Sequence, residues 1–261
     1  MTKIISFANQ KGGVGKSTIC LQSAFYLVEA GHRVLVIDLD PQGNTSSRLA
    51  QDESGNEIEF SGTTTADLFR YGLGEIPVMS CPRGMDLIWT TKNDPVLSEI
   101  ESLDLECALL PSENLKASRL LDCYDYVLID CPPSLGRKLI AALVLSTHVL
   151  CPVQVSGFAV DGVEGLLNTI ISVQSELNPQ LENTGIVINN LNRNFQTHME
   201  ARQQLIDAVP DLIYATEIGV RGKLDEATNK GIPVWCIKTS SGRAAAKDVR
   251  AVIEELIEKV G

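Results

Sequence analysis

Residues 3–18 read Lys-Ile-Ile-Ser-Phe-Ala-Asn-Gln-Lys-Gly-Gly-Val-Gly-Lys-Ser-Thr, a buried-strand run feeding a glycine-rich loop and then a helix start. That order is the frame of a triphosphate cradle. Gly12, Gly13 and Gly15 lack Cβ, so the backbone can fold back and aim successive N–H groups at phosphate oxygens, with the positive end of the following helix behind them. The cradle is read as Lys11, Gly12, Gly13, Val14, Gly15, Lys16, Ser17 and Thr18. Lys16 is placed to neutralise the β- and γ-phosphates of ATP, and the Ser17 hydroxyl to sit on Mg²⁺. A glycine turn can also merely join a strand to a helix. Three features argue for the cradle: the strand context, the two lysines bracketing the loop, and two acidic strand ends farther on.

The general pattern G-x-x-x-x-G-K-[ST] asks for glycine at position 10, where this chain has Gln10. Lys11 opens the loop instead. One lysine suffices for the γ-phosphate of its own subunit, so Lys11 is a spare cation whose best physical use is a phosphate held by another subunit. K-G-G-V-G-K-[ST] resembles the deviant Walker A motif of the ParA/MinD ATPases. That resemblance implies face-to-face homodimers around two ATP molecules, with Lys11 as the signature lysine that crosses the interface and, with Lys16, serves catalysis.

The first acidic end is Arg33-Val-Leu-Val-Ile-Asp38-Leu-Asp40-Pro41-Gln42-Gly43-Asn44. Carboxylates at the C-terminal end of a parallel strand face the ligand crevice. Asp38 is expected to hold the metal's water shell and Asp40 to orient the attacking water. Read alone, Asp-x-Asp-Pro is often only a turn with an Asx bond. Read with the loop, it is similar to the family's switch I. The second end, Tyr124-Asp-Tyr-Val-Leu-Ile-Asp130-Cys-Pro-Pro-Ser134, resembles a Walker B strand with its switch II loop. Asp130 is expected to bind Mg²⁺ through water, since that ion dehydrates reluctantly. Pro132 and Pro133 fix φ and restrict the loop to few states.

A chain of 261 residues buries roughly 70–75% of its unfolded surface, enough for one α/β core. The expected fold is a doubly wound, mostly parallel sheet with helices on both faces, a P-loop NTPase in one domain, 1–261. Helices are expected to about Ala30, near Ala66–Tyr71, over the charged region Pro95–Leu121, and at 137–146, Val160–Leu177, 197–209 and 242–259. Strands are expected at Arg33–Asp38, Met85–Thr90, the run to Asp130, His148–Val153, Gly185–Asn189, 212–217 and 233–237, with 51–65 as loop.

No apolar run approaches a membrane span, and the first strand starts at residue 3, so a cytoplasmic location without a signal peptide is expected. The last helix carries an acidic exposed face rather than the basic membrane anchor of MinD-type proteins, so no membrane attachment is expected. No helix-turn-helix precedes the loop, so operator-specific DNA binding is not expected. Seven cysteines occur without a C-x-x-C pair and read as small buried residues. A cluster site involving Cys131 and a distant partner stays open.

Net charge is −11, which argues against nucleic acid. By segment, residues 1–130 hold 10 basic against 19 acidic groups, whereas 190–261 hold 10 of each. The resemblance implies non-specific DNA binding through basic residues of this last third. The candidates are Arg193, Arg221 and Lys223, with Arg243, Lys247 and Arg250 as weaker additions, each of which is also readable as a solvated surface charge. Asn189 ends a strand where relatives approach the adenine, and serves either a base or a turn. Ser156 stands where many relatives have an acid near the nucleotide and dimer interface. The resemblance implies an ATP-gated, nucleoid-associated dimer that segregates or positions a plasmid, chromosome or protein cargo with a ParB-like partner. The alternatives are a DNA-independent regulator of cell division or polysaccharide synthesis, and an ATP-dependent metallocluster reductase.

Overall fold

The chain runs β1 (Lys3–Phe7), α1 (Lys16–Glu29), β2 (Val34–Asp38), α2 (Asn44–Leu49), β3 (Met79–Ser80), β4 (Asp86–Ile88), α3 (Pro95–Glu99), α4 (Leu110–Ala117), β5 (Tyr126–Asp130), α5 (Arg137–Leu145), β6 (His148–Gln154), α6 (Ala159–Glu176), β7 (Glu182–Asn189), α7 (Gln196–Ala208), α8 (Gly222–Asn229) and α9 (Ser240–Val260) in the computed structural model. The structure describes residues 1–52, 54–155 and 159–261. Ser156, singled out above, lies outside the described residues.

The strands form one sheet in the order β3-β4-β2-β5-β1-β6-β7, parallel throughout except for β3 against β4. Side chains alternate across each strand, so the sheet builds two cores. Ile5, Phe7, Val34, Val36, Tyr126 and Leu128 face α1, α8 and α9. Ile4, Leu35, Ile37, Val127 and Ile129 face α4, α5, α6 and α7. The doubly wound, mostly parallel architecture expected from the sequence is what forms. β5 lies between β1 and β2, and its register sets Asp130 beside both Phe7 and Asp38.

Two expected strands are corrected. Residues 212–217 run alongside β7 but form only isolated bridges, at Ile213 and beyond the segment at Gly219. The Ala215 and Thr216 N–H groups donate to the Glu255 carboxylate of α9, at 2.9 and 3.0 Å, which diverts them from a ladder. Residues 233–237 contain a 3-10 turn, Val234–Cys236, entered through Pro233, and the Val234 N–H donates to Gln22 Oε1 at 2.8 Å. The region Pro95–Leu121 is two short helices joined by 3-10 turns, with Leu103 extended between them and Pro111 opening α4. The helix near residue 66 is a 3-10 turn, Thr65–Phe69, closed by a Thr64/Asp67 capping box. Helices α2 and α8 and strand β3 had no sequence expectation.

Candidate functional site

The glycine loop occupies the C-terminal ends of β1, β5 and β6. Asn9 anchors its start: its Nδ2 donates to Pro152 O (2.7 Å) and its Oδ1 accepts the Lys11 N–H (2.9 Å). Gln10, the departure from the general pattern, donates through Nε2 to Gly162 O at 2.7 Å and so fastens the loop to α6. Gly13 and Gly15 have φ of +75° and +99°, a region that side-chain-bearing residues rarely enter. Gly15 precedes α1, whose start has neither a capping side chain nor an acid in its first turn among the described residues. The first N–H groups of α1 are therefore directed at the loop cavity, as anion binding requires.

Lys16 is buried, 6% exposed, and its Nζ donates to Lys11 O at 3.0 Å, folded back over the loop. Burial pushes its ammonium below the ordinary lysine value, against the opposing pull of Asp130, Cys131 and Asp40. Lys11 lies over α6, its Cε 2.9 Å from where a Cβ on Gly162 would stand.

The parallel register puts Asp38 and Asp130 side by side on β2 and β5. Their partners differ. Asp38 Oδ1 accepts the Asp40 N–H at 3.2 Å, and Oδ2 accepts both the Ser46 N–H and its hydroxyl at 2.8 and 2.7 Å. Oδ2 thus pins α2, while Oδ1, which accepts the Asp40 N–H alone among the described residues, keeps a lone pair with which to meet the metal's water shell expected of Asp38. Burial and the neighbouring Asp130 push its carboxyl far above the usual range, against the pull of Ser46.

Asp130 Oδ2 accepts the Thr45 hydroxyl at 2.6 Å. Oδ1 is buried with no hydrogen-bond partner among the described residues. Burial raises the carboxyl to about 6, with the Thr45 and Ser17 hydroxyls drawing it down, Asp40 pushing it up and Lys16 drawing it down. An unpartnered buried oxygen, on a carboxylate close enough to the Ser17 hydroxyl to feel it, gives an oxygen-only donor set suited to a hard divalent cation. Among the described residues no group of three or more His, Cys, Asp or Glu side chains is placed to hold a metal ion.

Asp40, 9% exposed, closes a tight turn: Oδ1 accepts the Gln42 N–H (3.0 Å) and its carbonyl accepts the Gly43 N–H (2.9 Å). Gly43 is in the left-handed region, and a Cβ there would sit 2.8 Å from the carbonyls of Thr90 and Thr91. Sequence reasoning missed Thr45 and Ser46. The available signal was two adjacent hydroxyls directly after a pair of strand-end carboxylates.

Asn189 braces the glycine loop. Its Nδ2 donates to Val14 O at 2.9 Å and supports the loop at Gly15. Beside it a hollow of about 90 Å³, lined by Gly13, Thr18, Asn190, Arg221 and Asp225, opens next to the loop. Arg221 is shared with a neighbouring cleft of about 360 Å³, lined also by Arg193, Glu217 and Asp248. Arg193, Arg221 and Lys223 are each paired with a carboxylate within the chain. Arg193 meets Glu217 Oε2 at 3.1 Å while Arg202 takes Oε1; Arg221 meets Asp248 at 2.8 Å; Lys223 meets Glu226 at 2.6 Å. Arg243 donates to Lys238 O, and Arg250 lies over the Trp235 ring at 4.7 Å.

A family model described as an AAA domain matches residues 2–183. The protein IncC of Escherichia coli is 33% identical over 260 residues, covering 99% of this chain and 70% of its own length. The sporulation initiation inhibitor protein Soj of Bacillus subtilis is 32% identical over 240 residues, covering 90% of each chain. A cobyrinic acid a,c-diamide synthase of Mycobacterium smegmatis, solved with an ATP analogue and magnesium, superposes with a TM-score of 0.76 at 25% identity, over 99% of this chain and 95% of that one. The glycine loop, the two strand-end carboxylates and these matches agree: the chain belongs to the ParA/MinD superfamily of P-loop ATPases, on the side of the Soj-like partition proteins.

Proposed function

We propose that the protein hydrolyses Mg²⁺·ATP as a nucleotide-gated dimer that holds DNA of any sequence and positions a plasmid, chromosome or protein cargo together with a ParB-like adaptor. The observation that carries the nucleotide part is the convergence of the α1 N-terminus, buried Lys16, Ser17 and the open Oδ1 of Asp130 at one sheet edge. The ATP analogue and magnesium in the Mycobacterium smegmatis protein support it.

In this reading the loop N–H groups and the α1 N-terminus bind the phosphates, and Lys16 turns from Lys11 O to the β- and γ-phosphates. Ser17 and, through water, Asp130 Oδ1 hold Mg²⁺. Magnesium held there would supply positive charge against that developing on the phosphate oxygens. Asp40 orients the attacking water with the carboxylate oxygen that Gln42 does not occupy. Lys11 leaves Gly162 to reach a phosphate across the dimer, so ATP favours the state in which that contact exists. Arg193, Arg221 and Lys223 contact DNA phosphates. An adaptor with a basic segment suits a chain of net charge −11.

A second reading, the DNA-independent regulator, is favoured by the in-chain carboxylate partner on each of those three basic residues. Co-sedimentation with DNA in ATP and in ADP separates the two. ATP-dependent pelleting at low salt supports the DNA-borne dimer; ATP turnover without pelleting selects the regulator.

A further inference from the structure

Two consecutive hydroxyls of α2, both fully buried, fall on the two carboxylates that the β2/β5 register sets side by side: Ser46 on Asp38 and Thr45 on Asp130. Ser46 is also the acceptor for the Thr90 N–H at 2.9 Å, so its contacts are accounted for by tying α2 to the strands. Thr45 is different. Its hydroxyl donates at 2.6 Å to Oδ2 of the carboxylate whose other oxygen is the buried unpartnered one. A carboxylate with neither oxygen fixed can rotate about its last bond and offer either oxygen, or both. With Oδ2 pinned, one oxygen and one direction remain.

The pin also reaches across the chain. Thr45 and Asp130 are 85 residues apart in sequence. Thr45 stands one turn beyond Asp40, on the helix that the Asp40 to Gly43 turn starts, and that turn is itself closed by the bonds of Asp40 to Gln42 and Gly43. The group assigned to the attacking water and the group assigned to the metal's water are thereby held in one frame.

We propose that Thr45 is a positioning residue for the cation: its hydroxyl fixes Asp130 so that Oδ1 faces the metal-bound water, and it makes the arrangement of switch I depend on the metal site. This rests on the Mg²⁺·ATP reading above. Groups that orient a metal-binding carboxylate are typically worth about 10–100-fold in metal affinity.

The test titrates Mg²⁺ into protein holding a fluorescent ATP analogue and reads the Mg²⁺ midpoint, with binding of the analogue in EDTA measured alongside. Thr45→Val keeps the shape and removes the donor. Its midpoint should rise by about 10–100-fold, while affinity in EDTA stays at the wild-type value. Thr45→Ser restores the donor and should return the midpoint. If valine does not fold, Thr45→Ala against Thr45→Ser makes the same comparison. An unchanged midpoint in the donor-free variant overturns the assignment, as does an equal loss in EDTA, which marks a merely structural hydroxyl. Wild-type protein whose affinity ignores Mg²⁺ overturns the metal reading itself, and the assignment with it.

Discussion

The Glu101 carboxylate occupies the space that a side chain at Gly136 would need. An added Cβ at Gly136 would collide with all three atoms of that carboxylate. Glu101 Oε2 accepts the Arg137 N–H at 2.7 Å at the start of α5, and Oε1 pairs at 2.8 Å with Lys138, which is 3% exposed. One carboxylate therefore closes the far end of switch II, whose near end is Asp130.

Glu101→Gln should lower stability by about 1–3 kcal/mol, because it leaves the Lys138 ammonium buried without its counter-charge. Gly136→Ala should also destabilise, through the collision. Thermal unfolding of both and of the double variant checks this, since Glu101→Gln should not relieve the clash. Burial pushes the Glu101 carboxyl up, but Lys138 and the Arg137 N–H outweigh it and hold the group below its ordinary 4.5. The unfolded chain thus binds the proton more tightly, so the stabilisation is present above pH 4.5 and is lost as pH falls through the lowered folded value. In Glu101→Gln that part of the acid sensitivity should vanish.

Gly15→Ala should abolish nucleotide binding and cost about 1–3 kcal/mol, since φ is +99° and the new methyl would strike the Asn189 amide. Adding Asn189→Ala removes the collision but not the backbone strain. Partial recovery of stability without recovery of nucleotide binding is the expected result, read by thermal unfolding and analogue fluorescence.

The two loop lysines should fail differently. Lys16→Ala should eliminate ATP binding, because it removes the buried cation at the phosphates. Lys11→Ala should retain ATP but dimerise and turn over poorly. Light scattering with ATP and equilibrium nucleotide binding measure both; equal loss of ATP affinity in the two variants would reject the cross-dimer role.

Asp40→Ala should bind ATP and dimerise while hydrolysis drops by about 10²–10⁴-fold. Steady-state phosphate release checks it. Wild-type turnover in that variant would move the water-orienting role to another group.

DNA binding should be steeply dependent on salt. Three phosphate contacts from each subunit of a dimer give a slope of log affinity on log salt of about −5, a loss of roughly 10³-fold between 50 and 200 mM. Glu217→Gln should strengthen binding to every sequence by releasing Arg193 and Arg202 from their shared carboxylate. Filter binding across salt measures both. Unchanged affinity in Glu217→Gln would show that the pair orients Arg193 rather than competing for it.

What the sequence discloses is what depends on neighbours along the chain. The glycine loop, the apolar strands and the carboxylates closing them are local patterns, and the unbroken apolar runs of β2 and β5 already imply a sheet covered on both faces. What it conceals depends on partners far away. The Ala215 and Thr216 N–H groups look available for a strand until Glu255, some 40 residues on, takes them. Arg221 reads as a surface charge, yet its carboxylate is Asp248, 27 residues away. Asp38 and Asp130 carry the same strand-end signature and each accepts an α2 hydroxyl on Oδ2; what separates them is Oδ1, which takes the Asp40 N–H on Asp38 and has no such partner on Asp130 among the described residues.

The insertion of β5 between β1 and β2 has a consequence for how the molecule is made. As the chain leaves the ribosome, β1, the glycine loop and β2 emerge early, but their shared neighbour follows 85 residues after Thr45. At about 5–20 residues per second that interval lasts roughly 4–17 s. Through it two hydrophobic strands present open edges that invite pairing with other chains. The nascent protein is thus vulnerable to aggregation at mid-synthesis, and its demand for chaperones should fall when residue 130 clears the exit tunnel and again when β6 follows to cover the other edge of β1.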